Sequence, residues 1–94
     1  MNFRFYTDPE SGLPHIYDHA VDEQEVEEAF MSRGEDRQGR NETRVAIGLT
    51  SGGRYLRLIY PRDLEPDSVF VITAYELRGK PLAAYLRRRR RRQL

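Results

Sequence analysis

The stretch from residue 43 to residue 60 constrains the fold more than any other part of this 94-residue sequence. Its two halves, TRVAIGL and RYLRLIY, alternate between apolar and polar side chains, and the tetrapeptide TSGG separates them. Alternation with a period of two indicates half-buried strands, and a short glycine-rich turn joins antiparallel neighbours. We therefore predict a β-hairpin whose apolar face must be covered by another element.

Two further segments have strand character. Residues 2–6 (NFRFY) alternate and predict a short strand, whereas residues 69–75 (VFVITAY) are apolar nearly throughout. A continuous apolar run is typical of a strand buried on both faces at the centre of a sheet. The polar segments between the predicted elements, residues 7–14, 34–41 and 61–67, are expected to be loops, and the second of them mobile.

An amphipathic helix is predicted for residues 22–33. Asp22 is a candidate N-cap, and Glu25, three residues later, completes the pattern of a capping box. Gly34 is a plausible stop signal, since glycine commonly follows the last helical residue. The apolar face of this helix consists of Val26, Ala29 and Phe30.

A second helix is predicted near the C-terminus, where Pro81 suits a first turn and apolar residues recur at helical spacing at Leu82, Tyr85 and Leu86. The expected fold is thus a single α+β domain over residues 1–86. It has a small antiparallel sheet, made of the N-terminal strand plus a three-strand meander, packed with both helices. Residues 87–94 are expected to form an arginine-rich C-terminal tail.

Charge is distributed unevenly along the chain. The net charge is +1, but six consecutive arginines (Arg87, Arg88, Arg89, Arg90, Arg91 and Arg92) leave ten basic residues against 15 acidic ones elsewhere. Because like charges repel on a helix, this run is expected to be frayed or disordered without a polyanion such as RNA. The expected role of the run is to bind such a polyanion. The alternatives to this role are a solubilising tail and an intramolecular contact with the acidic first helix.

Several classes of protein are disfavoured by composition. There are no cysteines and only two histidines, so we expect no disulfide, no metal site and no cofactor. No segment approaches the roughly 20 apolar residues of a membrane-spanning helix. The N-terminus lacks the basic and then apolar segments of a secretory signal peptide. We expect a cytoplasmic protein without a membrane partner. Gly52 and Gly53 belong to the hairpin turn rather than to a phosphate-binding loop.

His19 is the first candidate for chemistry. It precedes the predicted helix, where it would tend to stay neutral and could act as a general base near pH 7. The alternative is a loop histidine that bonds a backbone group. His15 is a weaker candidate.

Arginines on the predicted hairpin are candidates for phosphate binding. Arg44, Arg54 and Arg57 lie on adjacent strands, and two or three of them on one face would form a clamp. Alternatively, each pairs with one of the many acidic residues on a solvated face.

The end of the predicted central strand offers a third set. Tyr75 could stack on a base or donate a proton, and Arg78 and Lys80 follow it closely. The alternative for Tyr75 is a half-buried aromatic residue that closes the core.

Taken in order, these motifs resemble the BrnT-type ribonuclease toxins of type II toxin–antitoxin systems, which are related in fold to the RelE group. The resemblance covers roughly residues 8–86. It is carried by the histidine and helix of residues 19–30, by the segments RVAIG and GRYLRLIY, by VITAY and by Tyr85. In the place of the family's strand-end arginine stands Tyr75, and Pro81 replaces a glutamate.

The resemblance implies a RelE-like fold and metal-free RNA cleavage through the 2′-hydroxyl. It implies catalytic roles for His19, Arg44 and Arg54, to which we add Tyr75. Either His19 or an ionised Tyr75 would take the proton of the 2′-hydroxyl, and arginines would hold the scissile phosphate. Arg57, Arg78, Lys80 and the arginine run would bind RNA, which could be ribosome-associated, and a small antitoxin protein would be the partner. The alternatives are a non-catalytic RNA- or ribosome-binding module of the same fold and a protein-interaction domain whose acidic helix docks a basic partner.

Overall fold

Six strands, two α-helices and one 3-10 helix are present in the computed structural model, which describes residues 1–93. The predicted tail's last residue, Leu94, lies outside them. In chain order the elements are β1 (Asn2–Phe5), a 3-10 helix (His15–His19), α1 (Glu23–Met31), β2 (Glu35–Gln38), β3 (Thr43–Leu49), β4 (Tyr55–Pro61), β5 (Ser68–Val71), β6 (Thr73–Glu76) and α2 (Gly79–Gln93).

The strands form a four-stranded antiparallel sheet in the order β2-β3-β4-β6 and a separate parallel pair of β1 with β5. The α+β class, the two helices and the hairpin are confirmed. The prediction that the N-terminal strand joins an antiparallel sheet is wrong, because β1 runs parallel to β5, with Phe3 opposite Val69. Such a pairing joins segments far apart in sequence, which no local pattern can indicate.

Strand β2 lies where a mobile loop was expected. Its sequence, EDRQ, has no apolar alternation, yet it pairs with β3 along its whole length. A tight turn makes this pairing possible, since Asn41 and Glu42 both adopt left-handed backbone conformations (φ 54° and 59°). The acidic side chains of β2 also find partners, because Glu35 binds Arg88 and Asp36 binds Arg44.

The apolar run 69–75 does not form a strand at the centre of the sheet. It is divided at Ile72 into β5 and β6, and β6 is an edge strand of the four-stranded sheet. Its side chains alternate between buried and partly exposed rather than being buried on both faces. The central strands are β3 and β4, because β2 occupies the far edge.

Helix α1 begins as predicted. The Asp22 side chain accepts a hydrogen bond from the Glu25 amide (2.8 Å), and the Glu25 side chain accepts one from the Asp22 amide (3.1 Å). The helix ends earlier than the glycine signal indicated, with Ser32 as its C-cap. Its apolar face covers one face of the sheet so closely that a Cβ on Gly48 would lie 1.7 Å from the Ala29 carbonyl oxygen.

Helix α2 packs on the opposite face, where Tyr85, Leu82 and Leu86 surround Ile47 and Leu77. It continues through the arginine run, so the prediction of a frayed or disordered segment is wrong for the described residues. Glu35 supplies the compensating charge from β2. The helices of the described chain include none that is long and apolar enough to cross a membrane.

Candidate functional site

The hairpin arginines do not share one face of the sheet. Residues directly opposite each other on paired strands project to the same side. Arg44 is opposite Tyr60, on the face that α1 covers, whereas Arg57 is opposite Ile47 and Tyr75, on the other face. The predicted clamp of three arginines is therefore not assembled.

Arg44 belongs to a structural network under α1. Its Nε donates to Asp36 Oδ1 (2.8 Å) and its Nη2 donates to the Asp36 carbonyl oxygen (2.9 Å). The Tyr60 hydroxyl donates to the same carboxylate. Burial opposes ionisation of Asp36, but the hydrogen bonds from Tyr60, Arg44 and Arg33 outweigh it and lower the pKa of this carboxyl. Burial and the Asp36 contact raise the pKa of Tyr60 to about 12.

Arg54 is also occupied by protein groups. Its guanidinium donates to Glu25 (2.7 Å), to Glu76 (3.1 Å) and to the carbonyl oxygen of Ala20 (3.1 Å). These contacts tie the start of α1 to β6. With two carboxylates already bound, Arg54 has little capacity left to hold a phosphate.

Arg57 differs from both of these residues. Its Nη1 donates to the Tyr75 hydroxyl (3.3 Å), and no carboxylate of the described residues lies within salt-bridge distance of it. Its Nε is buried and has no hydrogen-bond partner within the described part of the chain. A partly buried guanidinium without a counter-charge is costly unless a ligand supplies one.

His19 and Tyr75 lie side by side although 56 positions separate them in the sequence. Their ring centroids are 5.8 Å apart, because the 3-10 helix that carries His19 packs against β6. His15 stacks edge-on against His19 at 5.3 Å. The structure thus brings together His19, Tyr75 and Arg57, and places Arg44 and Arg54 among carboxylates instead.

A groove of about 650 Å³ opens beside Arg57 and Tyr75. Arg37 and Arg40 add two cations to its wall. The sequence does not single out either residue, since both fall in the segment 34–41, which is predicted to be a mobile loop. Pairing of β2 with β3 orients Arg37, and Arg40 lies in the connection between these two strands. The apolar part of the lining includes Val45 and Ile59.

The remaining predicted RNA-binding residues lie outside this groove. Arg78 is exposed and donates to Glu76 (2.9 Å), and Lys80 is exposed in the first turn of α2. The arginine run divides into two sets. Arg88 and Arg92 face Glu35, and Arg89 donates to the Tyr55 hydroxyl. Arg87, Arg90 and Arg91 are exposed, as Arg89 and Arg92 are, but they make none of these contacts.

One group of side chains has the composition of a metal site. Asp8, His15 and Asp18 offer ligand atoms within 4.8 Å of one another. His15 Nδ1 is 3.2 Å from Asp8 and 3.5 Å from Asp18, so hydrogen bonding among these side chains accounts for the cluster. It differs from the groove, which offers cations and aromatic rings.

No protein-family model, curated protein or solved structure matches this chain. The assignment of a function to the groove therefore depends on its own geometry and on the sequence motifs described above.

Proposed function

We propose that this protein is a metal-independent endoribonuclease that binds single-stranded RNA in the groove beside Arg57. One observation carries the proposal. Arg57 is a partly buried cation with no carboxylate partner in the described residues, and it holds the hydroxyl of Tyr75, whose ring lies next to His19. A cation and two groups that transfer protons are the elements that metal-free phosphodiester cleavage requires.

The groove's charge suits a phosphate. Arginine presents several N–H donors in a planar fork and binds phosphate oxygens at two points, and no carboxylate of the described residues occupies the guanidinium of Arg57. Arg37 and Arg40 border the same space and would contact neighbouring phosphates of the strand.

The aromatic side chains favour a single strand over a duplex. Unstacked bases bind on aromatic faces, and the adjacent rings of Tyr75 and His19 offer such a surface. RNA is preferred to DNA as substrate because only RNA carries a 2′-hydroxyl next to the scissile phosphate.

The proposed reaction is an internal transfer. His19 takes the proton of the 2′-hydroxyl, and the 2′-oxygen attacks phosphorus. Arg57 stabilises the charge that develops on the phosphate oxygens. The bond to the 5′-oxygen breaks as Tyr75 donates its proton to that oxygen. The products are a 2′,3′-cyclic phosphate and a 5′-hydroxyl, and proton exchange with water restores both side chains.

The resemblance to BrnT-type toxins extends the proposal to a biological role. A RelE-like ribonuclease toxin would act on cytoplasmic RNA, including ribosome-associated messages, and a small antitoxin would restrain it. Expression without that partner is then expected to arrest growth, and Tyr75→Phe is expected to relieve the arrest.

Binding of a labelled single-stranded RNA tests the assignment of Arg57. Arg57→Gln is expected to weaken binding at least about 10-fold, in line with the loss of a charge-assisted contact to phosphate. Arg62→Gln is the matched control, because Arg62 follows the same strand, outside the groove, and its loss changes the net charge equally. Equal affinities for the two variants would show that the groove does not bind RNA.

Tyr75→Phe separates cleavage from binding. It is expected to retain RNA affinity and to slow cleavage about 100-fold or more, as removal of a general acid does. An RNA that the wild-type protein binds but leaves intact would refute the nuclease proposal and favour the non-catalytic RNA-binding alternative.

A further inference from the structure

The groove and the arginine-rich half of α2 meet at one carboxylate. Arg88 donates to both oxygens of Glu35 (2.9 and 3.0 Å). Arg92 approaches Oε2 of this carboxylate at 3.8 Å, and Arg37, which lines the groove, approaches Oε1 at 3.4 Å. A residue of the groove and two residues of α2 are thus neighbours around a single side chain.

This junction retains an excess of positive charge. One carboxylate faces three guanidinium groups, so the net charge of these four side chains is about +2. The side chain of Glu35 is only 8% exposed, whereas those of Arg37, Arg88 and Arg92 are 55%, 42% and 48% exposed. Solvent, or a ligand, therefore meets the cations and not the acid.

The buried acid also fixes the position of the helix. Hydrogen bonds from Arg88 lower the pKa of Glu35, so this carboxyl is ionised at neutral pH. Six adjacent arginines repel one another, and a bidentate contact to a buried carboxylate offsets part of that repulsion. The C-terminal half of α2 is consequently held beside the groove, which a disordered tail would not be.

We infer that one RNA strand runs continuously from the groove, past Glu35, onto the arginine-rich half of α2. This continuous binding surface is the RNA track. The inference rests on the proposed RNA binding in the groove. It adds that the arginines of α2 extend the same site, with Arg37 and Arg92 as its neighbouring contacts. A short RNA would fill the groove alone, and a longer one would use both parts.

Two RNA lengths test the track. Affinities are measured by fluorescence anisotropy for oligonucleotides of about 4 and about 12 nucleotides, within the range of known single-strand sites. The variant Arg91→Gln/Arg92→Gln removes two cations and leaves the contact between Arg88 and Glu35 in place. The control, Arg4→Gln/Arg62→Gln, removes equal charge from two residues that neither line the groove nor belong to α2.

The track predicts that the α2 variant binds the short RNA within about 2-fold of wild type and the long RNA at least about 10-fold more weakly. Its salt slope for the long RNA falls by about 1.4, as expected for two lost phosphate contacts on a single strand. The control variant changes both affinities by the same small factor.

Two other results are distinguishable. If the wild-type protein binds short and long RNA equally and the α2 variant changes neither, the track is wrong and the groove proposal stands. If the short RNA does not bind the wild-type protein, the proposed function fails together with the track.

Discussion

Arg44 and Arg57 lie on paired strands of one hairpin and project to opposite faces of the sheet. Arg44 is bound to Asp36 beneath α1, whereas Arg57 contacts the Tyr75 hydroxyl in the open groove. The same residue type therefore has a structural task on one face and is available for a ligand on the other.

Substitution of these two arginines should separate stability from RNA binding. Arg44→Gln is expected to lower the free energy of unfolding, because it breaks the hydrogen bonds between the Arg44 guanidinium and Asp36. Arg57→Gln is expected to leave that free energy unchanged or to raise it slightly, because the buried Nε of Arg57 has no partner among the described residues. Urea unfolding measures both. A larger loss of stability in Arg57→Gln than in Arg44→Gln would contradict these roles.

The contact between α1 and β3 should tolerate no side chain at Gly48. A Cβ there would lie 1.7 Å from the Ala29 carbonyl oxygen, and relief requires movement of the helix backbone. Gly48→Ala is expected to cost more than about 3 kcal/mol, at the upper end for overpacking. Gly52→Ala is the control, since its Cβ would meet only Thr50 Oγ1 at 3.8 Å. Similar urea midpoints for the two variants would refute the close packing.

Stability should fall in acid, in part through Glu35. The hydrogen bond from Arg88 lowers the pKa of this carboxyl below 4.5 in the folded chain. As the pH falls, the unfolded chain binds a proton at Glu35 before the folded chain does, so acid favours unfolding. The contribution of Glu35 is present above about pH 4.5 and is lost as the pH drops through the lowered pKa.

Glu35→Gln isolates this effect, because its side chain does not titrate. Measured by thermal unfolding, the melting temperature of the variant is expected to be lower than that of wild type near pH 7. It is also expected to fall less between about pH 5 and about pH 3. An unchanged acid dependence in the variant would show that Glu35 does not contribute.

Elements with local signals could be predicted from sequence, and those formed by distant partners could not. The start of α1 could be predicted because the bonds between its N-cap, Asp22, and Glu25 lie within four residues. Strand β2 has no apolar pattern, and its acidic side chains are satisfied by Arg88 and Arg44. The helix through the arginine run could not be predicted for the same reason. Its counter-charge, Glu35, lies 53 residues before Arg88 in the sequence.

The proximity of the three candidate residues does not follow from the sequence. The sequence indicates His19, Tyr75 and Arg57 only as members of separate sets, and the structure brings them close together. Whether Arg44 and Arg57 share a face depends on the register of the hairpin, and a shift of one residue would reverse the answer. Packing of the 3-10 helix on β6, which brings His19 to Tyr75, leaves no repeating pattern in the sequence.

The most direct test of the proposed nuclease uses a DNA oligonucleotide that contains a single ribonucleotide, incubated with the protein in excess EDTA. We expect one cut, directly 3′ of the ribonucleotide, that leaves a 2′,3′-cyclic phosphate and is absent with an all-DNA strand. Tyr75→Phe is expected to slow this cut about 100-fold. An intact oligonucleotide after incubation with the wild-type protein, or cleavage at the deoxynucleotides, would contradict the proposal.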